Sequence, residues 1–284
     1  MLRRAVYASL ALAASVGAPA TRASAQTDYY NTDRGRPVQI EDAYATERHA
    51  FELKLAPRVE WAAGSGNASW EVEPEIAYGL LPRTHVEIGV PVAFAATDGG
   101  VRRNGVAGVE LSLMHNLNAE TRTVPALGLR ADVLAPVGPL APERTYATFT
   151  GMLTRTLRPL RIHMNAQVTA GAAPRPSTAS LTSEQPSADA EGLSRWLAGV
   201  AVDKTFPLHS VLLTAELLAR QPLVRAEKDT ELVAGAGLRL QASPTLALDV
   251  GLGRRLDASR GPWYATFGTA YSFGLRALMS GDAE

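Results

Sequence analysis

Residues 68–94, ASWEVEPEIAYGLLPRTHVEIGVPVAF, contain two runs in which apolar residues occupy every second position. The first run extends from Trp70 to Leu80, and three glutamates lie between its apolar members. After a short turn the alternation resumes from Val86 to Phe94. Strict alternation predicts two β-strands, each with one apolar face and one polar face. The apolar face would meet a protein core in a soluble sheet and lipid in a membrane barrel.

The same alternation continues from about residue 48 to the C-terminal region, in about twelve segments of roughly ten to fourteen residues. Short connections alternate with longer ones, of which residues 173–193, rich in Pro, Ser, Thr and Ala, form the longest. Tilted strands of this length cross a bilayer, and short turns opposite long loops are typical of outer-membrane barrels. The predicted fold is therefore all-β, a closed antiparallel transmembrane β-barrel of about twelve strands with short periplasmic turns and longer extracellular loops.

The aromatic residues support lipid as the outer solvent. In the predicted arrangement all four tryptophans lie at the loop end of their strands and five further aromatic residues lie near the turn end, all on the apolar face. Two belts of this kind are typical of membrane interfaces, where amphipathic rings lie at the headgroup level. The predicted belts comprise Trp61, Trp70, Trp196 and Trp263 at the loop end, with Phe51, Tyr78, Phe206, Tyr271 and Phe273 at the turn end.

The polar residues between the apolar ones are predicted to face a lumen and to line the path of a solute. An outward Arg or Lys at the bilayer midplane would cost about 2–4 kcal/mol, which favours this assignment. Charges on the early strands are mainly acidic and those from Arg130 onward mainly basic, so opposed walls could favour polar or zwitterionic solutes. The alternative is that these residues only fill a narrow barrel with salt bridges and water. The predicted set is Glu71, Glu73, Glu75, Glu87, Glu110, Arg130, Asp132, Arg161, His163, Arg239, Asp249 and Arg255.

The register of the first hairpin is predicted from its turn. If residues 64–67, GSGN, form a tight turn, Pro57 lies opposite Pro74 and Trp61 lies opposite Trp70. Each proline removes one hydrogen bond from the strand ladder, so matched prolines would confine the defect to one pair of positions.

The ends of the chain differ from the barrel region. Residues 1–25 combine an early arginine pair, an apolar stretch and small residues ending in an A-x-A site, as a cleaved signal peptide does. Residues 26–47 are polar and aperiodic and are predicted to form a periplasmic segment or a short plug. Residues 48–275 are assigned to the barrel and 276–284 to a C-terminal tail. Export and barrel together predict the outer membrane of a Gram-negative-type bacterium.

Composition and motifs argue against several functions. The chain has 28 basic and 28 acidic residues, so no nucleic-acid-binding footprint is evident. It has no cysteine, which excludes disulfides, thiolate metal sites and a Cys nucleophile. The five histidines show no metal-ligand spacing, and common catalytic motifs are absent. We therefore expect no metal, no cofactor and no enzymatic activity. The expected partners are membrane lipid and lipopolysaccharide, the barrel-assembly machinery and a small solute.

The E-x-E-x-x-Y-G-L strand at residues 73–80, the short turn after it and the V-E-I-G-V-P strand at 86–91 resemble the "MetA-pathway of phenol degradation" group of outer-membrane proteins, often labelled transporters. The final YSFGL at 271–275 fits less closely, and the resemblance covers about residues 45–275. It implies an outer-membrane barrel with a role in the uptake of small molecules, for example aromatic ones, and no catalytic residues. The chain departs from usual barrels by continuing beyond its last aromatic residues into the tail at 276–284.

The predicted function is a channel or transporter that passes small polar or aromatic solutes through a charged lumen. One alternative is a structural, adhesive or surface-binding barrel plugged by residues 26–47 or by the loop at 173–193. Another is an outer-membrane lipid-modifying enzyme such as a phospholipase, for which Ser112 near His115 is the nearest candidate cluster. The last is a soluble secreted barrel that binds a ligand, against which the aromatic belts argue.

Overall fold

A computed structural model describes residues 30–61, 68–96, 102–172, 193–223, 230–256 and 261–275. These residues contain one antiparallel sheet and a single turn of 3-10 helix at Pro207–His209. The strands are β1 (Ala50–Trp61), β2 (Ala68–Leu81), β3 (Thr84–Gly89), β4 (Val92–Ala96), β5 (Arg102–Val106), β6 (Val109–Asn118), β7 (Ala126–Ala135), β8 (Tyr146–Leu157), β9 (Leu160–Ala170), β10 (Ser194–Phe206), β11 (Val211–Pro222), β12 (Glu231–Ser243), β13 (Leu246–Arg255) and β14 (Trp263–Gly274).

The sheet closes on itself because β1 pairs with β2 on one side and with β14 on the other. β3 and β4 are two parts of one barrel strand, since β2 pairs with both of them. β5 and β6 form another such strand, because β5 pairs with β4 and β6 pairs with β3. The described residues therefore form a closed barrel of twelve antiparallel strands, which confirms the predicted fold.

Both broken strands are interrupted at the same level, next to Pro91. Proline has no N–H to donate to the ladder, so β3 ends before it and β4 begins after it. Two hydrogen bonds continue across the interruption, from the Val90 N–H to the Pro74 carbonyl (3.1 Å) and from the Ala107 N–H to the Pro91 carbonyl (2.9 Å). The wall therefore stays connected at the break.

The outside of the barrel is apolar and its inside is polar. More than half of the surface is exposed at Leu111, Phe149 and Val168. By contrast, Ser112, next to Leu111 in the chain, and Thr148, next to Phe149, are at most 5% exposed. A soluble protein shows the opposite distribution. The barrel surface is therefore suited to lipid, as the alternation predicts.

Apolar packing inside the barrel is limited to small groups of residues. The largest joins Ile40, from the chain before β1, to Leu218, Val233 and Tyr264 on the inner wall. The chain before β1 thus takes part in the interior packing.

The predicted register of the first hairpin is wrong by two residues. Pro57 pairs with Val72, and Pro74 pairs with Leu55, so the prolines lie at different levels. Trp61 pairs with Ala68. A slip of two residues leaves every side chain on the same face, so alternation cannot distinguish the two registers. The GSGN turn itself lies outside the described residues.

The predicted belt residues lie at two levels of the barrel. Trp61 pairs directly with Trp263 at the loop end. At the turn end the Phe51 ring lies 4.6 Å from that of Tyr78 and 5.3 Å from that of Phe273, measured between ring centroids. The other four occupy matching strand positions: Trp70 and Trp196 near the loop end, Phe206 and Tyr271 near the turn end.

Three predicted segments fall outside the described residues: the signal peptide at 1–25, nearly all of the loop at 173–193 and the tail at 276–284. Within the described ranges, no helix is long and apolar enough to cross a membrane.

Candidate pore and its charged lining

Residues 30–49, here called the N-terminal segment, enter the barrel at its turn end. The His49 N–H donates to the Gly79 carbonyl at 2.8 Å, and a side chain at Gly79 would collide with the backbone of Glu47. Further in, the Thr32 N–H donates to the Asp42 carboxylate (3.0 Å), and the Asp42 N–H donates to the Thr32 carbonyl (3.2 Å). Residues 32–42 therefore form a closed loop.

Inward-facing side chains from around the barrel bind the backbone of this segment. Glu216 on β11 accepts the N–H groups of Gln39 (2.8 Å) and Ile40 (3.0 Å). Four further bonds come from β3, β6, β8 and β14: Thr46 N–H to His85 (3.0 Å), Asn116 to the Ala43 carbonyl (2.6 Å), Ala43 N–H to Thr154 (3.0 Å) and Thr266 to the Pro37 carbonyl (2.8 Å). Since these strands surround the lumen, the segment lies across it.

A first group of charged side chains lies on β1, β2, β3 and β7. The Lys54 ammonium contacts Glu87 and lies 2.9 Å from Glu75. Arg130 donates to Glu87 at 2.9 Å and to Asp132 at 2.7 Å. Lys54 and Arg130 thus share Glu87 between them, and the pairing offsets much of the cost of burying these charges.

The N-terminal segment adds its own charges to this group. Arg34 contacts Glu110 and lies 3.4 Å from Asp132. Glu41 lies 3.3 Å from Arg130. Burial raises the pKa of Glu41 to about 7, although Arg130 and Arg34 oppose the shift. Glu41 is therefore poised to change its charge near neutral pH.

A second group joins the segment to β12 and β13. Arg239 and Asp249 pair across these strands, and Arg36 lies 3.2 Å from the same Asp249 carboxylate. Asp33 completes the group, 3.0 Å from Arg239. Burial disfavours ionisation of Asp33, but Arg36, Lys54 and Arg239 together hold its pKa well below the usual range. Asp33 therefore remains charged under ordinary conditions.

A third group lies at the turn end of β8, β9 and β10. The Asp203 carboxylate forms an ion pair with Arg161 at 2.6 Å and lies 2.8 Å from Nε2 of His163. The Thr154 hydroxyl, which accepts the Ala43 N–H, is 2.9 Å from Nδ1 of His163. A neutral His163 with its proton on Nε2 satisfies both neighbours, so this chain of groups links the segment to the wall.

Two cavities lie on opposite sides of the loop formed by residues 32–42. The larger, of about 360 Å³, lies at the loop end and is lined by Arg34, Gly35 and Gln39 of the segment together with wall residues. The smaller, of about 70 Å³, lies at the turn end beside Thr32 and His85. The segment thus separates the two halves of the lumen.

The predicted lumen residues fall into two sets. Ten of them contact a charged or polar partner nearby: Glu75, Glu87, Glu110, Arg130, Asp132, Arg161, His163, Arg239, Asp249 and Arg255. Glu71 and Glu73 line the larger cavity, and within the described part of the chain neither forms an ion pair. The basic residues of this set thus pair with carboxylates beside them.

Sequence reasoning missed several residues that the structure places in the lumen, chiefly Asp203, Glu216 and Asn116. Asp203 lies on β10, whose inward positions also include Leu197 and Ala201, so that strand does not alternate clearly between apolar and polar residues. Glu216 and Asn116 do follow the inward alternation of their strands, and counting positions along β11 and β6 could have found them.

Comparison with solved structures adds a fold relationship. An outer membrane channel from Pseudomonas putida F1 superposes with a TM-score of 0.58 at 12% identity, covering 85% of this chain and 100% of that one. The KdgM porin gives a TM-score of 0.49 at 11% identity over 78% of this chain and 99% of that one. The NanC porin gives 0.48 at 10% identity over 76% and 98%.

The chain has the fold of outer-membrane porin-like barrels. The Pseudomonas channel carries this conclusion, because its whole length is covered at a TM-score above one half. No protein-family model matches the chain, and no curated protein matches it by sequence. Membership of the "MetA-pathway of phenol degradation" group therefore stays a prediction.

Proposed function

We propose that the protein is an outer-membrane channel for small polar or aromatic solutes, with a lumen that the N-terminal segment narrows. The observation that carries the proposal is the arrangement of two cavities on either side of residues 32–42. Hydrogen bonds and ion pairs from the wall hold this segment, and two small apolar groups, around Ile40 and around Ala43, add packing. Displacing the segment would join the cavities into a single path.

The proposal extends to targeting and assembly. Residues 1–25 would direct export and be removed, and the barrel-assembly machinery of a Gram-negative-type bacterium would insert the barrel. Lipid and lipopolysaccharide would then cover the outer face, with the tryptophan belt at the extracellular interface. The resemblance at residues 73–91 favours aromatic molecules among the solutes.

A structural or surface-binding barrel without transport is the second candidate, because the same contacts could hold the segment permanently. An enzyme is not proposed. The most triad-like group among the described residues is Thr154, His163 and Asp203, but the Thr154 side chain is completely buried and already accepts the Ala43 N–H.

Conductance in planar bilayers separates the two candidates. We expect a variant that lacks residues 26–46 to show discrete current steps larger or more frequent than those of the full mature chain. Glu73→Gln in that variant should lower its preference for cations. A complete lack of current steps in both proteins would contradict the channel and favour the closed structural barrel.

A further inference from the structure

The smaller cavity is lined by three buried polar atoms that have no hydrogen-bond partner among the described residues. Two are the side-chain oxygens of Asn31 and Thr32 in the N-terminal segment, and the third is Nε2 of His85 on β3. Thr32 is only 4% exposed and His85 only 6%. A buried polar group without a partner is costly in a folded protein. Three such groups around one cavity indicate that a polar molecule occupies it.

The three atoms present both a hydrogen-bond donor and hydrogen-bond acceptors to the cavity. Nδ1 of His85 accepts the Thr46 N–H at 3.0 Å, so the ring proton of His85 lies on Nε2. Nε2 is therefore a donor, the Asn31 amide oxygen is an acceptor, and the Thr32 hydroxyl can be either. A hydroxyl group of a ligand matches this set, because its oxygen accepts from His85 while its hydrogen is donated to Asn31.

The charges around this cavity favour a neutral occupant. The carboxylates of Asp33, Asp42 and Glu52 line the cavity and would repel an anion. The Arg239 guanidinium also lines it and, together with the Nε2–H of His85, would repel a cation. Asp33 already pairs with Arg239 at 3.0 Å. Among the described residues no cluster of His, Asp or Glu is arranged to hold a metal ion.

The size and position of the cavity define the occupant further. The volume is about 70 Å³, whereas a single water molecule needs only about 10–15 Å³. One small molecule with several hydroxyl groups can therefore replace several waters and keep their hydrogen bonds, and the release of ordered waters favours the exchange. Because Asn31 and Thr32 belong to the N-terminal segment and His85 to the wall, such a molecule contacts both. A ligand that binds only while the segment is in place stabilises that position.

We propose that the smaller cavity binds a small neutral polyol, a molecule of about the size of glycerol with adjacent hydroxyl groups. One hydroxyl joins Nε2–H of His85 to the Asn31 oxygen, and a second bonds to the Thr32 hydroxyl. The bound polyol holds the N-terminal segment against β3. This site goes beyond the proposed channel, because the segment and the wall form the cavity whether or not a solute crosses the barrel.

An NMR titration of the full mature protein in detergent micelles tests the site, with glycerol as the probe and the backbone amide signals of residues 31–47 as the readout. We expect saturable shifts with glycerol, and binding of 1,2-dimethoxyethane, which cannot donate a hydrogen bond, that is weaker by roughly fivefold or more. Thr32→Val removes the hydroxyl and keeps the shape. His85→Asn keeps an acceptor for the Thr46 N–H and removes Nε2. Each should weaken glycerol binding by roughly fivefold or more.

Thr150→Val is the matched control for these variants. Thr150 is also 4% exposed and its hydroxyl also has no partner among the described residues, but it lies on β8 outside the smaller cavity. Its substitution should leave the affinity for glycerol unchanged. Hydrogen exchange gives a second readout: at a glycerol concentration about ten times its Kd, exchange of the Ile40 amide should slow about tenfold.

Three results would overturn the proposal: shifts that grow with glycerol without saturating, which would leave only water in the cavity, equal binding of glycerol and the ether, or unchanged affinity in both variants while their spectra show the wild-type fold. Planar-bilayer currents keep the two proposals separate. Saturable binding of glycerol without conductance would refute the channel alone. Conductance without such binding would refute the polyol site alone.

Discussion

Glu216 offers the sharpest test of how the N-terminal segment is held. One of its carboxylate oxygens accepts the N–H groups of both Gln39 and Ile40, and the other accepts the Tyr264 hydroxyl. Ile40 is completely buried, so its N–H has no access to water while the segment is in place. Glu216→Ala removes the acceptor for both N–H groups, whereas Glu216→Gln keeps the shape and one acceptor oxygen but loses the charge.

The expected size of the effect follows from these contacts. Hydrogen bonds to a charged group contribute about 1.5–3 kcal/mol each, so losing two of them costs the bound segment about 3–6 kcal/mol. In the released state the two N–H groups bond to water, so the substitution does not change the free energy of that state. A change of about 3 kcal/mol already shifts the equilibrium between bound and released segment by roughly 100-fold. The alanine variant should therefore release the segment far more often than wild type, and the glutamine variant should be intermediate.

Hydrogen–deuterium exchange of the protein in nanodiscs measures this equilibrium directly. Backbone amides of Gln39 and Ile40 should exchange at least tenfold faster in Glu216→Ala, and the open probability in planar bilayers should rise in the same order. Glu231→Ala is the control. Glu231 and Glu216 both lie in the lumen and are each 5% exposed, but Glu231 pairs with Arg220 and Arg255 of the wall instead of the segment. Exchange at these two amides within twofold of wild type would refute the reasoning.

Three further predictions concern the segment and the lipid face. Burial raises the pKa of Glu41 to about 7, whereas a solvated glutamate ionises near 4.5, so between these values the bound segment keeps a proton that the released segment gives up. Binding of the segment to the barrel should therefore weaken as pH rises from 5 to 8, and hydrogen exchange across residues 30–49 should accelerate beyond its intrinsic pH dependence. Glu41→Gln should abolish this dependence. Gly79→Ala should displace the segment where it enters the barrel and expose it to limited proteolysis. Gly151→Ala is the control, because the nearest neighbour of its added methyl group would be 4.0 Å away. Equal cleavage of the two variants would contradict the close contact between Gly79 and the segment. Leu248→Arg places a charge on the lipid face and should lower the free energy of unfolding from vesicles by about 2–4 kcal/mol in urea titrations, and a loss below about 1 kcal/mol would argue against lipid at that position.

The barrel wall could be predicted because lipid imposes a strict rule on it. Each strand must present apolar residues outward at every second position, so Phe149 and Thr148 fall on opposite faces in the sequence and in the structure alike. The number of strands follows from the same rule. The interruptions next to Pro91 did not obscure it, since the strand on each side keeps its alternation.

The lumen could be predicted only in part, because polar pairing inside a barrel has no sequence period. Alternation placed Glu87 and Arg130 inside but could not show that they pair with each other or that Lys54 joins them. Residues 30–49 contain neither alternation nor a helical period, so their path depends on contacts with residues distant in sequence, such as Glu216. The prediction of the first hairpin's register was wrong because a slip of two residues leaves every side chain on the same face of the sheet.

A transmembrane barrel of this kind has lipid outside and water within. Nitroxide labels at Val168 and Gln167, adjacent residues of β9, test this in reconstituted vesicles by collision with oxygen and with a water-soluble nickel chelate. The label at Val168, 54% exposed on the outer face, should be reached mainly by oxygen, and the label at Gln167, which lines the larger cavity, mainly by the chelate. Equal access of the chelate to both positions would contradict a transmembrane barrel.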